Sequence, residues 1–396
     1  MKDIKTIGIY AYIDKDLNII GGLEAQVYHL SKELEKRDYQ IIIHCLADKS
    51  DDGYIEYKSI KKSGTPTTII YSSKEFDDNL QFSLKMSEDI IFAFGIRDGK
   101  IFDMAAKISH MLSKPLVSFV YFTKEESDWR SKFRDIGNIK NCDSSEKYQK
   151  EYMKRFQNIC KDIVDRSDLV IVPTEYVRGQ IVSCADYKDY DKIKVCYHGI
   201  PELSSMFSNN YKWLNEEPGF IHASRLKHPQ SIDKGIYWTD HFADFSNSTI
   251  YVCGNGDYKF RSKNIINMGL LSQNDLFYFM SSQCNYALIP SQMEAGCTIA
   301  LESVMCNCLP IALNMAGLSE VMKMIGLEDY LVEPQKYKLG NPLFVYEPKD
   351  EDVISAINTN IHKIRRDLVN AQEIIRKKYT IEKTTDKLLK IIKENL

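Results

Sequence analysis

The sequence predicts an α/β protein made of two doubly wound halves. Three observations carry this. Short apolar runs of strand length alternate with longer stretches of helical periodicity, as parallel βαβ units require. Glycines close several of the apolar runs, where backbone must turn or approach a ligand. A polar break near residue 200 separates two such series, and 396 residues is a length for two domains.

The first series opens with Thr6 to Tyr10 as a buried strand, followed by Gly21-Gly22 and a helix whose apolar positions Leu23, Val27, Leu30 and Leu34 step by four, three and four. Ile41 to Leu46 is the next strand, paired in parallel through a right-handed crossover. The alternation continues with Asp89 to Phe94 as strand, Phe102 to Leu112 as helix and Pro115 to Phe122 as strand. A long helix between Ser144 and Ser167 carries Tyr148, Tyr152, Phe156, Ile159 and Ile163 on one face. Asp168 to Pro173 is strand, Thr174 caps the helix that follows, and Ile193 to Tyr197 ends the half.

His198-Gly-Ile-Pro-Glu202 and the polar run to Asn210 mark the boundary. Domains of 1–200 and 201–379 follow, with a last helix at about 380–396 expected to pack back on the first. The second series has strands at Gly219 to Arg225, Ile250 to Cys253, Tyr286 to Ile289 and Pro310 to Asn314, a helix at Gln273 to Met280 and a turn at Gly317. Asp352 to Leu396 reads as one long helical pattern broken near Tyr379-Thr380.

Composition excludes several classes. A net charge of -3 offers no basic field, so nucleic acid is not an expected partner. Ten scattered cysteines, several inside strand-like runs, read as reduced and buried in a cytoplasmic protein. Cys306-Asn-Cys308 lacks the second pair or histidines that a metal site needs, and none of the eight histidines has ligand spacing, so no metal is expected. No segment approaches the roughly 18 apolar residues of a membrane span. The Lys- and Arg-bearing helices would serve a peripheral contact with the inner membrane face, but their charges alternate as on a solvated surface.

The chemistry concentrates at Pro290 to Glu302, a strand end, a loop and a helix start. Gly296, Cys297 and Thr298 lie at the turn, where unpaired amides and the helix dipole suit an anion such as phosphate. Glu294 faces the ligand from the loop, and Glu302, about one turn into the helix, can accept from hydroxyls. The two glutamates read equally well as an ordinary solvated pair on spacing alone.

The ordered motifs resemble the GT-B glycosyltransferases, in particular the large retaining family numbered four (GT4). Pro290-Ser291 with Glu294 and Glu302 looks like that family's Pro-Ser and Glu-x7-Glu signature. Ser224-Arg225-Leu226 with Lys234-Gly235 looks like its Gly-Arg-Leu and Lys-Gly pair. Gly254-Asn-Gly256, Asn314 to Glu320, Gly21-Gly22 and His198-Gly199 fall in the expected order. The resemblance implies a GT-B fold, two Rossmann-like doubly wound domains facing across a cleft, with the acceptor side in the first domain and the donor side in the second.

It also implies a metal-independent retaining transfer of a sugar from a UDP- or GDP-linked nucleotide-sugar, the co-substrate, with no other cofactor. Arg225 and Lys234 would balance the leaving diphosphate. Glu294 and the amides of Ala295, Gly296 and Cys297 would hold the donor sugar and its phosphate, and Glu302 the ribose. Gly21, Gly22, Ser224, Gly254, Gly256, Ser291 and Thr298 complete the donor set. Tyr121, Trp129 and His198 are candidate sugar or acceptor contacts, the acceptor being a glycan, lipid-linked or small molecule, as in polysaccharide biosynthesis. The chain departs from the family pattern at Tyr121, where a histidine is usual, and at Ser224 and Ala316, where glycines are usual. A non-catalytic GT-B subunit that binds a partner glycosyltransferase or glycoprotein is the alternative, and a nucleotide-sugar epimerase a third.

Overall fold

The computed structural model describes residues 4–13, 22–45, 54–60, 66–94, 100–121, 145–185, 191–203, 218–227, 233–338 and 344–396. The chain divides into two units, Met1–Phe122 with Lys154–Gly199 and Ile381–Leu396, and Thr123–Met153 with Ile200–Thr380.

The elements through the first boundary are β1 (Thr6–Ala11), α1 (Gly22–Lys36), β2 (Gln40–Cys45), β3 (Tyr54–Ile60), β4 (Pro66–Ser72), α2 (Phe76–Met86) and β5 (Ile90–Phe94), then α3 (Lys100–Leu112), β6 (Leu116–Phe119), α4 (Ser145–Arg166), β7 (Leu169–Val172), α5 (Glu175–Ala185) and β8 (Ile193–Val195). Its eight strands form one sheet in the order β3-β4-β2-β1-β5-β6-β7-β8. Every pairing is parallel except β3 with β4, so the fully parallel sheet expected from sequence acquires an antiparallel edge. β1, β5, β6 and β7 are buried along their whole length, which is why they read as unbroken apolar runs. Thr174 caps α5 as expected, accepting from Val177 N–H at 3.3 Å.

β3, β4 and α2 have no counterpart in the sequence reading. Behind them lies a buried polar network. His44 of β2 directs Nδ1 to Asn79 Oδ1 and Nε2 to Glu88 Oε1, both at 2.7 Å. Asn79 spends its amide protons on the carbonyls of Ser73 and Glu75, so its oxygen must face the histidine. The His44 ring stacks on Tyr10, whose hydroxyl meets Ser83 Oγ at 2.5 Å. Gly8 is required here, since a Cβ would sit 2.2 Å from the Glu88 carboxylate. The network fastens α2 to the middle of the sheet.

The second unit contains β9 (Phe220–Ala223), α6 (Ile236–Phe245), β10 (Ile250–Cys253), β11 (Ile265–Gly269), α7 (Gln273–Gln283), β12 (Tyr286–Ile289), α8 (Thr298–Met305), β13 (Leu309–Leu313), α9 (Ala316–Met324), β14 (Leu331–Val332), the hairpin β15 (Pro334–Lys338) and β16 (Phe344–Pro348), α10 (Asp350–Ile357) and α11 (Ile361–Lys378). Its six-stranded sheet is parallel in the order β11-β10-β9-β12-β13-β14. Counted from its first strand that order is 3-2-1-4-5-6, the Rossmann order, which reverses direction between β9 and β12. The first unit repeats it around β1 and β5.

The tail breaks near Tyr379-Thr380 as expected, and its first segment is two helices rather than one. Asn360 caps α11 by accepting from His362 N–H at 2.8 Å, a stop and restart that Asn358-Thr-Asn360 could have signalled. Gly317, expected in a turn, lies in the first turn of α9. The last helix, α12 (Ile381–Asn395), belongs to the first unit and packs on α1, where Asp386 pairs with Arg37 at 2.7 Å. All nine cysteines among the described residues are buried thiols outside any disulfide.

Candidate functional site

In a parallel sheet of this order, the strand ends at the reversal open a crevice where ligands collect. In the second unit the loops leaving β9 and β12 flank that point, and they carry Lys234 and Glu294. The Lys234 ammonium donates to Glu294 Oε1 at 2.5 Å, and the side chains keep 21% and 17% of their surface exposed. Both are therefore within reach of a ligand.

Backbone geometry forces the two loops together. Gly235 caps α6 at φ 68°, in the left-handed region, and a Cβ there would fall 2.7 Å from Pro290 O. Gln292 N–H donates to Asp233 O at 2.9 Å. On the other side Gly317 N–H donates to Glu294 O at 2.9 Å, and a Cβ at Gly317 would lie 2.4 Å from Ala295 O. The N-termini of α6, α8 and α9 thus all meet the loop 290–297. Gly235, Cys297 and Met315 stand at their caps; the Gly317 amide in the first turn of α9 is taken by Glu294 O, and in the first turn of α8 Ala300 N–H meets the Cys297 thiol.

The electrostatics follow from burial. Burial works against the charge on Lys234, but the carboxylates of Glu294 and Asp233 outweigh it and hold the ammonium well above its ordinary range. Burial drives His222 down to about 3, with the Lys234 charge adding to it, so this ring is neutral and serves as a partner for Thr239 at 2.6 Å. Burial pushes the Glu302 carboxyl up to about 7, against a hydrogen bond from Gln273 Nε2 at 3.4 Å. Burial likewise raises the Cys297 thiol well above its usual range, so it is uncharged.

The remaining donor-side candidates line the same sheet edge. Ser224 follows β9 and is held by Ser224 N–H to Cys253 O at 2.9 Å; Arg225 beside it is half-buried. Gly254 and Gly256 permit close contact of this loop with the one after β10, since Cβ atoms would lie 1.7 Å from Ser224 O and 2.2 Å from the Leu226 carbonyl carbon. Ser291 is buried, Ala295 and Gly296 are half-buried in the loop, and Thr298 opens α8. Sequence reasoning did not single out Asp233, His222, Gln273 or Gln292. Their residue types carry no motif, and only Asp233, next to Lys234, was within reach of one.

In the first unit Gly22 opens α1 with free space at its Cα. Tyr121 and His198 meet edge to face, with ring centroids 4.5 Å apart. Burial pushes the Tyr121 hydroxyl well above its usual range, so it is a neutral phenol. Gln26 Nε2 donates to Gly199 O at 3.0 Å and fixes the loop that bears His198. Gly21 and Trp129 lie outside the described residues. Among the described residues no group of three or more His, Cys, Asp or Glu is arranged to hold a metal, and no helix is long and apolar enough to cross a membrane.

No protein-family model matches the chain, and no curated protein matches it in sequence. Solved structures match over nearly the whole length. HepE of Anabaena, in complex with UDP, aligns with TM-score 0.63 at 14% identity, covering 99% of this chain and 100% of its own. A glycosyltransferase from Rickettsia africae gives 0.64 at 12%, covering 100% and 99%. The catalytic domain of starch synthase IV from Arabidopsis thaliana, bound to ADP and acarbose, gives 0.63 at 12%, covering 99% of each chain. At these identities the likeness is one of fold. The fold is that of the GT-B glycosyltransferases, with two Rossmann-like domains.

Proposed function

We propose that the chain is a retaining glycosyltransferase of the GT4 kind, which moves a sugar from a nucleoside-diphosphate donor to an acceptor hydroxyl. The observation that carries this is Lys234, charged and part-exposed, set among three helix N-termini at the reversal of a Rossmann sheet. That is a binding surface for a diphosphate.

In the proposed reaction the bond between the sugar's anomeric carbon and the diphosphate oxygen breaks, and the leaving diphosphate keeps the electron pair. The acceptor oxygen bonds to that carbon on the same face, and its proton departs with the nucleotide product. Lys234, Arg225 and the amides at the start of α8 balance the growing negative charge. For Lys234 to do so it must exchange its Glu294 partner for phosphate, which frees the Glu294 carboxylate for the sugar hydroxyls. Glu302, buried beside Gln273, accepts from the ribose. The positive charge a divalent metal would bring is already present, so transfer is expected to proceed unchanged in EDTA.

The donor is expected to be UDP- or GDP-linked, and the acceptor a glycan, lipid-linked or small molecule. HepE binds UDP and the starch synthase binds ADP, both nucleoside diphosphates. The experiment is a thermal-shift panel of UDP, GDP, ADP and their sugars against the wild-type chain and Lys234→Ala. A rise in Tm with one nucleotide class, lost in the variant, supports the reading; no shift with any of them rejects it.

Tyr121 favours a second reading. A neutral phenol replaces the imidazole that the resemblance leads one to expect, which suits a GT-B subunit that binds a partner glycosyltransferase without catalysis. Nucleotide binding with no transfer to any acceptor, restored by Tyr121→His, would distinguish them.

A further inference from the structure

The geometry points to Gln292 as a positioning residue, through which the β15–β16 hairpin braces the Lys234–Glu294 pair. Its functional consequence rests on the diphosphate reading above; the coupling itself rests on contacts within the second unit. Gln292 is 2% exposed. An amide so placed costs free energy unless its polar atoms are used, and an apolar residue would fill the space as well. Its backbone N–H holds Asp233 O at 2.9 Å, immediately before Lys234. Its side-chain oxygen accepts from Tyr346 N–H of β16 at 2.8 Å, two residues before Glu294.

The hairpin is anchored at other points to α6. Tyr237 Oη donates to Tyr346 O at 3.4 Å. Trp238 Nε1 donates to Asp350 Oδ1, and His241 Nε2 meets Asp350 Oδ2, both at 2.9 Å, just beyond the end of β16. The helix that carries all three begins at Gly235, the residue after Lys234. A closed circuit results: Lys234, α6, hairpin, Gln292, Glu294 and back to Lys234. Within this circuit Gln292 fixes the spacing of the pair without touching the ligand.

The test has a ligand-free arm and a ligand arm. In urea, Gln292→Met, Glu294→Gln and the double variant form a double-mutant cycle. The brace predicts that the double variant's unfolding constant differs at least threefold from the product of the single effects. Multiplicative effects within that factor overturn the inference, whether or not any nucleotide binds. In the ligand arm Gln292→Met is expected to lose about tenfold in affinity for the nucleoside diphosphate and less than twofold for the nucleoside. Equal losses, which a general loosening of the fold would give, overturn it. A wild-type chain that binds no nucleotide rejects the donor reading, and the cycle then decides on the brace. If Gln292→Met does not fold, Tyr237→Phe replaces it in the cycle, since it removes one hydroxyl and keeps the ring; coupling with Glu294→Gln is expected, and its absence overturns the inference.

Discussion

Each unit holds a polar cluster beside a reversal of strand order, and the two clusters are built differently. In the first unit His44, Asn79 and Glu88 are wholly buried, and both ring nitrogens of His44 are engaged. In the second, Lys234 and Glu294 remain part-exposed and three helix N-termini lack side-chain caps. The first cluster turns its groups inward, leaving only Glu88 Oε2 among these three side chains without a hydrogen bond, and holds a helix to a sheet. The second leaves its paired charges part-exposed. The contrast teaches that burial alone does not mark a functional site; a part-exposed charged pair at a strand-end crevice is the better pointer.

The comparison is most severely tested at His44. Replacing it by Ala leaves Glu88 and Asn79 buried without their partner, at about 1–3 kcal/mol for each buried polar group left unsatisfied. Urea unfolding should show a loss of that size, with nucleotide affinity of the remaining folded protein unchanged. A loss under about 1 kcal/mol would mean the network is not the fastening of α2.

Glu302 gives the next effect, and its sign can be worked out. The folded state holds the carboxyl proton up to about 7, whereas an exposed carboxyl releases it near 4.5. Between those values the folded chain binds more protons than the unfolded one, so this residue's contribution falls as pH rises through the window. At one pKa unit per 1.36 kcal/mol, the cost above pH 7 is roughly 3 kcal/mol. Glu302→Gln should therefore be more stable than wild type at pH 8 and equal to it at pH 4. His222, held neutral down to about 3, tilts the wild-type curve the other way below about 6.5, so the difference between the two proteins is the readout. A difference that does not change with pH would show that the Glu302 carboxyl is not desolvated.

Lys234→Ala should weaken nucleoside-diphosphate binding by about tenfold to a hundredfold, the worth of a hydrogen bond to a charged group at roughly 1.5–3 kcal/mol. Glu294→Gln sharpens the point. It removes the carboxylate that competes with phosphate for Lys234, so the free nucleoside diphosphate should bind a few-fold more tightly while its sugar-linked form does not. Titration calorimetry with both ligands reads the split; a parallel loss for both would show that Glu294 supports the phosphate site rather than competing for it.

What the sequence made legible divides along physical lines. β10 and β12 were placed to the residue, because Ile250 to Cys253 and Tyr286 to Ile289 are apolar runs closed by glycine or proline. β11 was not read, since Ile265–Gly269 is an edge strand with Ile266 and Asn267 exposed and has no alternation to detect. α6 was missed although Trp238 and Phe242, one turn apart, face the core. Lys234 and Glu294 were singled out by motif order, and the structure pairs them. His44 and Glu88 could not have been found, because their partnership depends on strand order and spans 44 residues. Gln292 was invisible for a similar reason: its partner Tyr346 is 54 residues away, on a hairpin whose strands gave no signal.

The smallest effect concerns a departure that the sequence did expose. Ala316 stands where the resembling family has glycine, and its backbone is at φ 53°. In that left-handed region a Cβ crowds the following carbonyl, at a cost of roughly 1–2 kcal/mol. Ala316→Gly removes the crowding but gives the unfolded chain more freedom, which returns roughly 0.5–1 kcal/mol. The net expectation is a stabilisation of about 0.5–1 kcal/mol, a rise of a few degrees at most in Tm. Because Gly317 next to it holds the Glu294 carbonyl, the change also tests whether the start of α9 is set by local strain or by the loop it meets. A more stable variant with unchanged nucleotide affinity means the loop dictates the geometry and the alanine merely endures it. A more stable variant with weaker binding means that the strained alanine keeps α9 where the diphosphate site needs it.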